Sequence, residues 1–283
     1  MEIKFENVSY MYNHNTPLSK QALKNINIEF KKDKINGIIG GSGSGKSTLV
    51  QLINALLVPT HGKVRINRFI NQKGRKIKNI NKLRFDVGLI FQFPEEQFFN
   101  STVKKEIIFG MKYFKYKTSN IEKRCSDALK MVELDDSYLN RNPFSLSSGE
   151  QRKVAIASIL AFNPKVVILD EPTIGLDSSS KNNLIKLIKM LKNKYNKTII
   201  VISHDVDMLH KISDHIFVLD KGEIVLEGTK YEIFSQPEVL DNYGIKCPKI
   251  MDFSNKVLSK KGIKIGYRDD IMDLIKDIYR HVK

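Results

Sequence analysis

Tryptophan is missing from this chain of 283 residues, and cysteine occurs only at Cys125 and Cys247. Two distant cysteines with no C-x-x-C spacing exclude a disulfide scaffold and read as free thiols in a reducing compartment. Long apolar runs are also missing. The longest, residues 154–162 with Ser158 inside it, is nine residues, well short of the ~18 that cross a bilayer. The opening MEIKFENVSY carries charges where a signal peptide needs an apolar stretch. The expectation is a cytoplasmic chain that meets a membrane only through a partner or its own surface. Acidic residues are scarce, 31 against 47 Lys and Arg, for a formal net charge of +16. Such a balance suits nucleic acid, polyphosphate or an anionic membrane face. Because the lysines are spread out, with only short clusters such as residues 73–82, a solvated basic surface is the plainer account. What remains is ordinary: 41% apolar and 28% charged residues, enough for one large domain with ample core plus a small one.

The strongest local signal is the apolar strand INGII, residues 35–39, followed by GGSGSGKST, residues 40–48, and an apolar-periodic helix (Leu49, Leu52, Ile53, Leu56, Leu57). Strand, glycine turn and helix form the context that G-x-x-x-x-G-K-[ST] requires. Gly41, Gly43 and Gly45 let the loop curl so that backbone N–H groups face phosphate oxygens. Gly40, Ser42, Ser44 and Thr48 complete the cradle, and the helix beginning near Lys46 turns its positive end toward it. Lys46 reaches the outer phosphates, and the Ser47 hydroxyl is placed to ligate Mg²⁺. Nucleotide phosphates and Mg²⁺ are thus the expected ligands.

A second apolar run, VVIL at 166–169, ends in Asp170 and Glu171. It reads as a buried parallel strand with carboxylates at its C-terminal edge. Asp170 is expected to hold Mg²⁺ through water, and Glu171, pointing differently, to polarise an attacking water. Two more runs end in polar residues: 198–202 delivers Ser203-His204-Asp205, and 87–91 delivers Gln92. In parallel α/β sheets such strand ends converge on one crevice, so Lys46, Gln92, Asp170 and His204 are expected around one nucleotide. No role is assigned to His14, His61, His210, His215 or His281.

Between Gln92 and Asp170 lies LSSGEQR, residues 146–152, in which Ser147 and Glu150 satisfy a capping box. With the other motifs, in order, it resembles the signature of ATP-binding-cassette (ABC) ATPases. The resemblance covers residues 1 to about 235. It implies a RecA-like P-loop α/β core with an antiparallel β subdomain, a helical subdomain around 95–165, and a small C-terminal domain, divided as 1–238 and 239–283. It also implies Gln92 as a Mg²⁺ and γ-phosphate contact, Asp177 as a dimer-facing loop residue, His204 as a switch histidine and Tyr12 as the adenine platform, with Tyr10 its rival. Ser147, Ser148, Gly149 and Glu150 are implied to cap the nucleotide of an opposite subunit. The usual LSGGQ reads LSSGE here; Ser148 narrows backbone freedom and puts the strength of that composite site in question, while Glu150 preserves the capping box.

Within the family, FQFPEEQFF (91–99), STVKKEIIFG (101–110) and NTPLSKQAL (15–23) are similar to the ATPases of energy-coupling factor transporters, importers of vitamins and metal ions. NTPLSKQAL looks more like the second of the paired ATPases than the first. The similarity implies a second ATPase subunit, a transmembrane coupling protein and a membrane substrate-binding protein as partners, no specific nucleic acid, and a peripheral place on the cytoplasmic face of the cell membrane. Pro94, Glu95, Phe98 and Phe99 would line a groove gripping a partner helix; the alternative is that Phe98 and Phe99 tuck into their own domain. A nucleic-acid-handling ABC ATPase and a catalytically weak regulatory subunit are the rival functions. After a hairpin at 216–226, Pro237, Gly244 and Pro248 punctuate a connector. Phe253, Val257 and Leu258 then mark a helix ending at Gly262, and Ile271, Leu274, Ile275, Ile278 and Val282 mark another, expected to pack on the main domain or on the other ATPase.

Overall fold

The computed structural model describes residues 1–114, 116, 120–262 and 271–281. Along the chain come strands β1 (Ile3–Tyr12), β2 (Lys20–Phe30) and β3 (Ile35–Ile39), helix α1 (Lys46–Ile53), strands β4 (His61–Ile66) and β5 (Phe69–Gln72), and helix α2 (Ile80–Asp86). Strand β6 (Val87–Ile90) leads into helices α3 (Val103–Tyr113), α4 (Ile121–Met131) and α5 (Ser148–Leu160). Then β7 (Val166–Asp170), α6 (Ser178–Asn193), β8 (Thr198–Ile202) and α7 (Val206–Ile212) alternate, before the hairpin β9 (His215–Asp220) and β10 (Glu223–Thr229). Four helices follow: α8 (Lys230–Phe234), α9 (Pro237–Asp241), α10 (Lys249–Lys261) and α11 (Ile271–His281).

The strands form two sheets. A six-stranded one runs β10-β9-β3-β8-β7-β6, parallel except for the β9–β10 hairpin, and a four-stranded antiparallel one runs β2-β1-β4-β5. All residues of β3, β7 and β8 are buried, as strands covered on both faces must be, which is why they read as unbroken apolar runs. One face packs against α1 and the antiparallel sheet, where Phe30 meets Phe5 and Phe217 edge-on. The other face packs against the helices. This is the expected RecA-like core with an antiparallel β subdomain, and α3 to α5 make up the helical region expected around 95–165.

Helix α10 is closed by Gly262 in the left-handed region (φ 67°), the backbone state that glycine adopts without steric cost. Leu240, Ile245 and Met251 are buried in the same apolar cluster as the central sheet. The expected boundary at 238/239 falls inside α9, and these three residues pack on the main core. On α11, Leu274 is buried and Ile275 exposed; Val282 lies outside the described residues. Among the described residues no helix is long and apolar enough to cross a membrane.

Candidate active site

The turn between β3 and α1 is shaped by glycines of two kinds. A Cβ on Gly40 would lie 2.0 Å from the Leu219 carbonyl oxygen, and one on Gly45, at φ +107°, would lie 2.5 Å from the Ala22 carbonyl oxygen. These two are demanded by the chain. Gly41 has nothing within 4 Å of that position, and neither does Gly43. They leave open space on the side where Ser42 is exposed, room that a bound group can use. Ser44 Oγ is buried without a hydrogen-bond partner. Lys46 Nζ donates to the carbonyl oxygens of Gly40 (2.9 Å) and Gly41 (2.8 Å), which draws its charge over the loop. Burial, above all, lowers its pKa, while Glu171 and Asp170 oppose the shift. Tyr12 and Thr48 share a hydroxyl–hydroxyl hydrogen bond of 3.0 Å, which sets Tyr12 beside the loop. Tyr10 packs edge-on to it (4.8 Å) and against the apolar cluster beneath.

Parallel β7 delivers the two acids to opposite neighbours. Asp170 is 8% exposed, and burial pushes its carboxyl above the usual range, opposed by a hydrogen bond with Ser47 and by Lys46. Glu171 leaves the strand in the left-handed region (φ 48°), with its N–H on the Ile202 carbonyl (2.9 Å). That turn carries its carboxylate to His204, whose Nδ1 lies 2.9 Å from Oε2. Lys46, Ser47, Asp170, Glu171 and His204 therefore meet at the C-terminal edge of the sheet. Gln92 is exposed at the end of β6, the strand beside β7.

The signature residues lie apart from this group. Ser147 caps α5, its Oγ accepting from the Glu150 N–H (3.4 Å) and donating to Glu150 Oε2 (2.7 Å). Tyr138 donates to Glu150 Oε1 (2.6 Å) and Arg141 stacks on the Tyr138 ring (4.1 Å). The Tyr138 hydroxyl, ahead of the Ser147 hydroxyl and N–H, holds the Glu150 carboxyl down to about 2. The departure from glutamine is thus satisfied internally. Ser148 sits in the first helical turn, a backbone state open to any residue. A Cβ on Gly149 would meet only Ser180 Oγ, at 3.5 Å, and Asp177, the cap of α6, accepts from the Ser180 N–H at 2.7 Å. Ser180 thus joins the signature turn to the Asp177 turn on one surface.

Two expectations about the 94–99 loop need correction. Pro94 is buried, and Glu95 forms a two-pronged pair with Arg152 (Nε–Oε2 2.7 Å, Nη2–Oε1 2.8 Å), itself 5% exposed. Both face inward, because a buried guanidinium must be matched by a carboxylate. Arg152 also donates to the carbonyls of Pro172 and Ile174, tying this loop to the one after Glu171. Phe98 is half-buried, edge-on to Phe144, while Phe99 is 60% exposed and edge-on to Phe109 at 4.6 Å. From Phe99 a file of rings continues through Phe109, Tyr113 and Phe114 to Phe85 of α2, each within 6.2 Å of the next. Sequence reasoning missed this file, Tyr138 and Arg152. Only the Phe109–Tyr113 spacing of four was a local signal.

A family model described as ABC transporter matches residues 23–174. The chain is 42% identical over 260 residues to the energy-coupling factor transporter ATP-binding protein EcfA2 of Staphylococcus epidermidis, covering 92% of this chain and 91% of that protein. It is likewise 42% identical over 266 residues to EcfA2 of Caldanaerobacter subterraneus, covering 94% and 92%. Among solved structures it is similar to cbiO1 of Clostridium perfringens, described as part of the ABC transporter complex cbiONQ (TM-score 0.73, 34% identity, 89% of this chain and 98% of that one). It also resembles the dimeric ATP-binding cassette MJ0796 in a post-hydrolysis state with ADP and Pi (TM-score 0.71, 33% identity, 81% and 98%).

Proposed function

This chain belongs to the ABC transporter family, and we propose that it works there as an ATP-hydrolysing subunit of an energy-coupling factor importer, paired with a second ATPase and seated beneath a membrane protein. The relatives named as transporter ATP-binding proteins carry this reading over a nucleic-acid one. Vitamins or metal ions are the proposed cargo, selected by a separate membrane protein. The division of labour between Asp170 and Glu171 is the observation that carries the chemistry: adjacent acids are sent to different partners, Ser47 and His204.

Backbone N–H groups of residues 41–46, the α1 N-terminus and Lys46 hold the phosphates of ATP. Ser47 and Asp170 fit Mg²⁺: a hydroxyl and a buried carboxylate whose charge Lys46 compensates only partly give hard oxygen donors. When bound, Mg²⁺ neutralises phosphate charge. Glu171 takes the proton of the attacking water, and His204 orients its carboxylate. Tyr12 supports the adenine. Ser147, Gly149 and Asp177 face the second subunit, whose nucleotide they cap. Phe99 and the ring file give the membrane partner an apolar surface. In the assembled complex Glu171→Gln should keep ATP binding and lower turnover by roughly 10²-fold or more. Turnover near wild type removes Glu171 from the base role.

A further inference from the structure

Between Asp33 and Asp86 the chain has no acidic residue and eleven Lys and Arg. Four of them, Lys73, Arg75, Lys76 and Lys78, occupy the connection from β5 into α2, Lys82 lies in the first turn of α2, and all five are exposed. Some surface cations elsewhere are paired, as in Lys63–Glu6, Lys104–Glu122 and Lys192–Asp214. Among the described residues none of these five has a carboxylate within ion-pair distance. The loop is held by its own turn, with Gly74 at φ +76° and the Arg75 N–H on the Gln72 carbonyl. Its cations are therefore not spent on local structure.

The place of this loop names its partner. Helix α2, which follows directly, carries Phe85, which the file beginning at Phe99 reaches through Phe114. Asn81, Arg84 and Phe85 of α2 also line a cavity with Phe91, Phe114 and Phe162. The basic segment thus leads through α2 to the ring file. We propose that residues 73–82 rest on the anionic phospholipid headgroups of the bilayer beside the membrane partner. The inference rests on the docking reading for its orientation: once Phe99 and its neighbours engage a membrane protein, the adjoining loop is carried toward the lipid surface. Unpaired lysines and arginines on a turn suit headgroup phosphates, which demand charge and no fixed register. Nucleic acid is the competing occupant, but nothing here interleaves aromatics with the five cations to stack bases.

The test uses the full chain, without its partners, and phosphatidylcholine vesicles with and without phosphatidylglycerol. Wild type should sediment with the anionic vesicles only, and less as salt is raised. Each basic side chain at such a surface is worth roughly fivefold in partitioning, so replacing all five by Gln should weaken binding by roughly 10³-fold. A control with Lys123, Lys130, Lys186, Lys189 and Lys211 changed to Gln loses the same charge and should bind within about threefold of wild type, since these lie outside the loop. ATP hydrolysis should be unchanged in both. The proposal is overturned if wild type ignores anionic vesicles, if the control loses as much as the loop variant, or if duplex DNA or RNA binds more tightly than the vesicles and loses that binding in the loop variant. It is also overturned if the loop variant detaches from the membrane partner in detergent, where no bilayer is present. Failure of the docking reading looks different: Phe99→Ala would then leave partner association intact, whatever the vesicles report.

Discussion

Gly45 and Gly149 occupy corresponding places, each at the opening of a helix, and the chain treats them oppositely. Gly45 is squeezed against the Ala22 carbonyl in a left-handed conformation, while Gly149 has one ordinary neighbour, Ser180 Oγ. Phe98 and Phe99 repeat the contrast one residue apart, the first half-buried and the second 60% exposed. A residue the fold itself demands reports on folding. A residue the fold leaves free yet spends on glycine, or on a bare phenylalanine, reports on something outside the chain.

Substitutions sharpen the contrast. Gly45→Ala meets a backbone carbonyl at an unfavourable φ, so it should cost about 2–4 kcal/mol and lower the thermal midpoint by roughly ten degrees. Gly149→Ala should leave the melt unchanged or raise it by up to ~1 kcal/mol, alanine being the better helix former, yet lower hydrolysis in the assembled dimer. Equal drops in the two melts would erase the distinction.

The aromatic pair gives smaller numbers. Phe98→Ala should cost about 2 kcal/mol, near half the loss for a fully buried ring. Phe99→Ala should stay within about 0.5 kcal/mol in stability and weaken association with the membrane partner by roughly 30-fold, as an interface aromatic does. If Phe99→Ala melts early with its partner binding intact, Phe99 belongs to the core.

The smallest effect is one of pH. The Glu150 carboxyl is held near 2 in the fold against 4.5 ordinarily. A depressed folded pKa gives stability that is complete above 4.5 and lost as pH falls through about 2. Tyr138→Phe removes the leading cause. The stability difference between the two proteins should therefore be constant above pH 4.5 and shrink toward pH 2, read by denaturant titration at each pH. A difference that stays constant through that range would place the Tyr138 contribution in packing alone.

Much of the site was legible because its chemistry is local. GGSGSGKST carries its own strand and helix, and a buried strand ending in two acids announces both its place and its exit. The signature helix was visible as Ser147-x-x-Glu150, a four-residue contact the structure forms in full. The 94–99 loop was misread at Pro94 and Glu95 because their roles depend on Arg152, 57 residues from Glu95. The file of rings was invisible for the same reason: Phe99, Phe109 and Phe85 come from separate elements.

Sequence alone determined the phosphate loop with its strand and helix, the strand-end acids and the capped signature helix, since each follows from spacing within a few residues, where backbone geometry dictates who can meet. Tertiary structure alone decided that Glu95 answers Arg152, that Tyr138 answers Glu150, that Leu240, Ile245 and Met251 join the main core, and that Phe99, Phe109 and Phe85 fall in one file. Those pairings come from packing elements distant in sequence against one another, and no local period encodes them.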